Sequence, residues 1–314
     1  MDVLTAVDDG RIAEHLERDE FFWLDLESPS PHELDALQGA IGLHPMAMED
    51  TREFGQRPKV DAYENHVLVV FYTVHRDPGA PVHTPVEVHV YVSGQWIVTV
   101  HQIPLPHLAE LHVQLAPATT QEEDYLVYRI FDTLTDAFYP AVDRFEELID
   151  DLEGEVLDRP RREHLRHIYR LKQAIHELLR LLVPQRDQFH TTSTEIMHLA
   201  ALSRGTREYL RDVGDHLAQL VSEFTRQNDD LTALTSTYFN ASAERLNRTA
   251  TRLSVVATFF VVWTLVTGFF GQNFAWLVDQ VRSERDFLIF GVGGLVVPTA
   301  LLAAVLWVKR HDWF

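Results

Sequence analysis

Cysteine is absent from all 314 residues, which excludes disulfides and thiolate metal sites and fits a reducing compartment. Positive charge is scarce. The 27 Lys and Arg against 47 Asp and Glu leave a net charge of −20, which argues against nucleic-acid binding and raises the cation concentration near the protein. Charge of either sign is missing from two stretches, Leu253 to Val278 and Phe287 to Val308. Proline is missing between Gln185 and Val297, so it interrupts no helix there. There is no Gly-rich phosphate loop, no His-Glu-x-x-His and no nucleophile placed beside a base, so catalysis has no support and the chain does not read as an enzyme.

What is there begins with the two uncharged stretches. Each can cross about 30 Å of hydrocarbon at ~1.5 Å per residue, and Trp307 followed by Lys309 and Arg310 gives the second an interfacial flank. Gly291, Gly293, Gly294 and Pro298 would weaken a soluble helix but are tolerated in lipid. Arg245, Arg248 and Arg252 precede the first span and Lys309 and Arg310 follow the second, whereas the intervening loop mixes Asp279, Glu284 and Asp286 with Arg282 and Arg285. The positive-inside rule then predicts cytoplasmic termini and an outward loop. "MDVLTAVDDG" has no apolar core of a signal peptide, so the part before the first span is expected in the cytoplasm, where the sequons at Asn240 and Asn247 are accidental.

Before the spans, residues 1–120 read as a cytoplasmic α/β domain. Ser30-Pro31 and Gly42 bracket a helix, "HVLVVFYTVH" is a strand, and "VEVHVYV" and "QWIVTVH" flank the turn dipeptide Ser93-Gly94 as a hairpin. Residues 121–204 read as helical, with a kink or break at Pro140 and an apolar seam at Ile168, Leu171, Ile175, Leu178 and Leu182. Residues 205–252 form a stalk helix whose heptad phase runs through Leu210, Val213, Leu217, Leu220, Phe224, Leu231, Leu234 and Tyr238, with Gln227 the one polar member. It continues into transmembrane helix 1 (253–270), an outer loop (271–286), transmembrane helix 2 (287–308) and a basic tail (309–314). The fold class is therefore an α+β membrane protein. An apolar seam on a long stalk must bury itself, which predicts self-association. The 17 histidines are scattered, and His164-x-x-His167, in a charged helical stretch, is expected at the surface.

Within the first span, Asn247, Ala250, Ser254, Ala257, Val261, Thr264 and Gly268 recur at 3,4 spacing as a small, weakly polar stripe. It is either a close helix-to-helix contact or the lining of a narrow aqueous pore.

The chain resembles the CorA family of divalent metal ion transporters along nearly its whole length. The residues that carry the resemblance are "LHPMAMEDTREFGQRPKVDAYENHVLVVFYTV", "WIVTVH", "YLRDVGDHL", "ERLNRTATRLSVVATFF", the tail "KRHDWF", and Gly271-Gln272-Asn273 where the family has Gly-Met-Asn. The resemblance implies a homopentamer in a cell (inner) membrane, with the first span of each subunit lining a central pore. A ring of Asn273 carboxamides would then hold a hydrated Mg²⁺ at the mouth, since Mg²⁺ sheds water reluctantly. Leu253, Val261 and Leu265 would form a hydrophobic gate, and Asp279 represents the acidic outer loop. Asp212 matches a family position that binds regulatory Mg²⁺ between cytoplasmic domains, with Asp77 as a partner carboxylate. The departures are Gln272 for Met, Phe270 for the usual Tyr, and Val262 for a common Pro; they bear on ion choice more than on fold. The expected function is influx of Mg²⁺, with Co²⁺ or Ni²⁺ as further ions, through a channel gated by cytoplasmic Mg²⁺. The alternatives are a proton-linked Zn²⁺ transporter of the same family and a membrane-anchored metal-sensing scaffold.

Overall fold

The computed structural model describes residues 2–115, 123–199, 206–272, 275–280 and 283–308. They fall into two compact units, Met1–Glu155 with Arg161–Thr235, and Val156–Pro160 with Ser236–Phe314. Asn273, Phe274, Lys309, Arg310 and the rest of the tail lie outside the described residues.

The first unit is built on a six-stranded sheet in the order β1-β2-β6-β5-β4-β3. Its strands are β1 (Asp2–Leu4), β2 (Phe22–Glu27), β3 (Lys59–Ala62), β4 (Val67–His75), β5 (Thr84–Val92) and β6 (Trp96–His101). β1, β2 and β6 run parallel, while β6, β5, β4 and β3 pair antiparallel in turn. Every residue of β4 from Val67 to Val74 is buried, so its side chains meet protein on both faces. That explains a continuous β-branched run in place of polar alternation. On one face, Phe22, Leu24, Val70, Tyr91 and Val98 pack with Leu34 and Leu37 of α2 (Pro31–Ile41) and Met48 of α3 (Pro45–Arg52), and with Ile12 of α1 (Asp9–Arg18). α2 opens with a Ser30–Glu33 capping box and ends at Gly42, whose φ of 70° needs a residue tolerant of the left-handed region. The β5–β6 turn is held by Ser93, whose hydroxyl accepts from the backbone N–H groups of Gln95 and Trp96 at 3.1 and 3.0 Å.

Phe71 projects the other way and meets Phe131 of α5 (Glu123–Asp136) and Phe189 of α7 (Arg162–Met197) at ring-centroid distances of 5.3 and 6.2 Å. Helices and sheet therefore share one core up to Thr235, rather than parting into an α/β domain and a separate helical one near residue 120. α7 also does a strand's work. β3 pairs with β4 only as far as Val70, and at Tyr72 the Gln185 carboxamide takes over, accepting from the Tyr72 N–H at 2.6 Å and donating to its carbonyl at 3.1 Å. α4 (Pro106–Leu115) follows β6. The break expected at Pro140 falls just before it: α5 ends at Asp136, Ala137 and Phe138 form a turn, and α6 (Tyr139–Asp158) opens with Pro140 as its second residue, where a missing N–H costs nothing.

α8 runs unbroken from Thr206 to Phe270. Its heptad seam is buried inside this chain, which corrects the expectation that the seam needs a second copy: Leu210, Val213, Leu217, Leu220 and Phe224 are each fully covered. The partners are α6 and α7. Phe224 meets Phe145 at 5.9 Å, Gln227 donates to the Val142 carbonyl at 2.9 Å, and Lys172 donates to Thr232 at 2.7 Å. His164 is a second correction. It is buried, because it sits four residues before Ile168 and extends the α7 seam, while His167 is exposed.

α8, which belongs to the second unit from Ser236 onward, and the chain Glu284–Val308 are long and apolar enough to cross a membrane, with mean hydropathy of 2.1 and 2.3 in their most apolar windows. Leu253, Leu265, Val297 and Leu301 are all more than half exposed. A soluble hairpin would bury such residues. The second span opens with a π-helical stretch, Phe287–Val292, and continues as α11 (Gly293–Val308). Between the spans lie α9 (Ala275–Gln280) and α10 (Glu284–Asp286).

Candidate ion pathway and metal centre

Two groups of residues are placed by α8. In the spanning part, Trp263 donates to Thr299 at 2.8 Å, and Gly294 faces Phe270 and Val266 closely enough that a Cβ there would touch both. α11 therefore covers the face of α8 that carries Trp263, Val266 and Phe270. At 3.6 residues per turn, the stripe Asn247, Ala250, Ser254, Ala257, Val261, Thr264 and Gly268 lies about half a turn away from that face. All seven are exposed in the single chain, and Leu253 and Leu265 flank them, likewise exposed. The stripe is thus not the surface on which α11 packs. α8 ends as the Gly271 N–H bonds the Thr267 carbonyl at 2.9 Å, and a Cβ at Gly271 would sit 3.1 Å from that oxygen. Glycine fits there because a side chain would crowd the last turn. Gln272 is exposed just beyond it, and Asp279 is exposed on α9.

In the first unit, Asp212 lies in a cluster that sequence reasoning reached only in part. Asp132, Asp212 and His216 offer ligand atoms all within 4.8 Å of one another. His216 Nδ1 lies 3.7 Å from Asp132 and 3.8 Å from Asp136, its Nε2 lies 4.0 Å from Asp212, and Tyr128 donates to Asp212 at 3.2 Å. Asp132 is buried and ion-paired with Arg129 at 3.3 Å. Burial pushes its carboxyl above the ordinary range, helped by the charge of Asp136. Burial raises Asp136 as well, against the pull of His216 and Arg129. Burial and the Asp132 charge raise the Tyr128 phenol. Burial is the main cause of all three shifts and neighbouring carboxylate charge adds to it; a divalent cation would offset both. The donor set of two carboxylate oxygens and an imidazole suits Co²⁺, Ni²⁺ or Zn²⁺ at least as well as Mg²⁺, which prefers an all-oxygen shell. The signal was present in the sequence: Asp132 and Asp136 are four apart on one helix, as are Asp212 and His216 on another, so each pair shares a face. Asp77 is not part of this cluster; it lies exposed in the β4–β5 turn, 3.4 Å from His75.

The family described as CorA-like Mg²⁺ transporter protein matches residues 18–310. The Cobalt/magnesium transport protein CorA of Thermotoga maritima is 24% identical over 290 residues, covering 90% of this chain and 81% of its own length. The Zinc transport protein ZntB of Yersinia enterocolitica is 22% identical over 295 residues, covering 93% and 87%. The complete structure of the CorA magnesium transporter from Methanocaldococcus jannaschii superposes with a TM-score of 0.76 at 20% identity, over 93% of this chain and 91% of that one. A match across the α/β unit, the long α8 and both spans leaves one assignment: the chain belongs to the CorA-like Mg²⁺ transporter family.

Proposed function

We propose that this protein carries divalent cations across a membrane as a homopentamer, with Mg²⁺ the principal ion and the Asn247–Gly268 face of α8 lining the pore. The observation that carries the reading is that face itself. It is small, weakly polar and exposed, it lies opposite the surface taken by α11, and it leads to Gly271 and Gln272 at the end of the helix. Family membership supports the choice of cargo, since the relatives are named for cobalt and magnesium and for zinc. Asn273 follows as the carboxamide that meets the arriving ion, Gln272 as a second amide beside it, and Asp279 as an acidic attractant. Leu253, Val261 and Leu265 narrow the path. Both termini lie in the cytoplasm.

The test is uptake of Mg²⁺ into proteoliposomes loaded with an ion-sensitive dye. Gly268→Trp adds a large ring on the open face, where nothing in the chain lies within 4 Å of a Cβ, and should cut flux at least tenfold. Asn273→Ala should alter uptake too. Wild-type flux in both variants would remove the stripe and the ring from the pathway. A zinc reading has one observation in its favour, the imidazole of His216 in the metal-binding cluster. Zn²⁺ flux that follows an imposed proton gradient while Mg²⁺ stays outside would establish it.

The Asp132–Asp212–His216 cluster is the proposed regulatory site. Cation binding there cancels repulsion between the carboxylates and holds the closed arrangement, so cytoplasmic Mg²⁺ limits its own entry. Currents recorded at stepped internal Mg²⁺ should show weakened inhibition in Asp212→Ala with selectivity unchanged; inhibition at the wild-type concentration would place the sensor elsewhere.

A further inference from the structure

We propose that the second unit carries a binding site for a phosphate-bearing anion, at the base of the first span. The turn after α6 folds against α8 and encloses a groove of about 590 Å³, lined on one side by Asp158 and Arg159 and on the other by Glu244, Arg245, Arg248 and Arg252. Four guanidiniums face two carboxylates, in a chain whose net charge is −20. One carboxylate is already engaged, Glu244 with Arg248. Among the described residues Arg159, Arg245 and Arg252 have no ion-pair partner, and all three are exposed. Planar guanidiniums present paired donors that match phosphate oxygens, so this residue type is the one expected at such a site.

Arginines that flank a span also orient it in the membrane, and that role alone would account for Arg245, Arg248 and Arg252. It does not account for their arrangement. At 3.6 residues per turn the three fall on one side of α8, opposite Asn247, Ala250 and Ser254 and in line with the face that meets α11. Nor does it account for Arg159, which comes from a separate element nearly a hundred residues earlier and completes the groove. The charges are thereby kept off the face assigned to the ion pathway, where they would repel a cation. Arg252 adjoins Leu253, the first residue of the uncharged stretch. A ligand held by Arg252 is therefore at headgroup depth, and an anionic phospholipid is the source that the placement favours; soluble phosphate shares the same chemistry.

The experiment uses the purified full chain in detergent, titrated with dioctanoyl phosphatidylglycerol, dioctanoyl phosphatidylcholine and inorganic phosphate. Wild type should bind phosphatidylglycerol at least tenfold tighter than phosphatidylcholine. Arg245→Gln/Arg252→Gln should lose at least tenfold of that affinity, and Arg159→Gln, which lies on a turn outside both spans, at least threefold. Arg285→Gln removes the same charge at the other end of the spans and should change nothing. Phosphate binding that matches phosphatidylglycerol and falls in the same variants would uphold the site and assign it to soluble phosphate. Wild-type phosphatidylglycerol affinity in Arg159→Gln, or equal affinity for both lipids, would overturn the proposal. Either result is independent of whether the protein conducts ions.

Discussion

Replacing Asp212 by Asn should change the protein's stability in opposite directions with and without divalent cation. Asn keeps an oxygen to accept the Tyr128 hydroxyl, so the variant removes charge while leaving the 3.2 Å hydrogen bond possible. Without metal, the Asp212 and Asp132 carboxylates repel one another across at most 4.8 Å. Coulomb's law at an effective dielectric of about 20 puts that at roughly 3.5 kcal/mol. The Asp212 side chain is 50% exposed, and solvent screening reduces the figure to about 1 kcal/mol. In EDTA the variant should therefore be equal to wild type or more stable by about 1 kcal/mol. A cation at ~100 times its dissociation constant stabilises the wild type by about 2.7 kcal/mol, and the variant should lose at least half of that gain. Thermal unfolding of the full chain in detergent, in EDTA and across a Mg²⁺ or Co²⁺ series, reads both effects. The order of the two melting curves should invert between the conditions. A variant less stable in both, or one with an undiminished cation-dependent gain, would refute the site.

The remaining predictions are local. Asp132 and Asp136 hold their protons to higher pH when folded than when unfolded, chiefly through burial, so they favour the metal-free fold below the ordinary carboxylate value and cost stability as pH rises through the raised one; the stabilisation by added cation should grow over that window. Burial opposes the charge on Asp25, yet His101 and His112, each 3.2 Å away, and the Thr99 hydroxyl outweigh it and hold the carboxyl well below its usual value. Burial likewise lowers His101, and Asp25 more than reverses it, so this pair's stabilisation is complete between about pH 4 and 6.5 and is lost as pH rises through the elevated His101 value; His101→Gln should flatten the melting-temperature slope there. Gln185→Leu leaves the buried Tyr72 N–H and carbonyl without partners and should cost about 2–4 kcal/mol in chemical denaturation. Gln227→Met exchanges a carboxamide with one unpaired oxygen for an apolar side chain and should be neutral or stabilising by about 1 kcal/mol.

Much of the fold could be read from the sequence because its signals are local. The Ser30–Gly42 helix carries its own cap and stop, the β5–β6 hairpin its own turn, and the spans announce themselves by missing charge. What could not be read was which surfaces meet. The α8 seam has the periodicity of a coiled coil, and period alone does not say whether the partner is another copy or α6 and α7 of the same chain. His164 looked solvated because its neighbours Arg162, Glu163 and Arg166 are charged, although its four-residue spacing from Ile168 puts it on the buried face. Gln185 gave no signal at all, since a side chain that imitates a strand edge is specified only by the place where β3 stops. Asp132, Asp136 and His216 share faces at four-residue spacing, but nothing in the sequence says that α5 lies against α8.

The small-residue stripe of α8 has two readings, helix contact and pore lining. A close helix contact requires a second helix, and the only other span among the described residues is already engaged with the opposite side of α8 through Thr299 and Gly294. Helix packing for the stripe therefore has to be intermolecular. The stripe is also poor at the third option, facing acyl chains: the Asn247, Ser254 and Thr264 side chains expose polar groups there, and although Thr264 returns its hydroxyl to the Phe260 carbonyl at 2.7 Å, the face remains less apolar than the one bearing Val256 and Phe260. Contact between copies and the lining of a pore cease to be rivals once several copies surround an axis, because small side chains are what allow α8 helices to approach that axis closely. Val261→Arg separates what is left. On a pore-lining face it places positive charge in the cation's path and should abolish Mg²⁺ uptake in an assembly of unchanged size by light scattering; on a face packed helix to helix it should break the assembly itself.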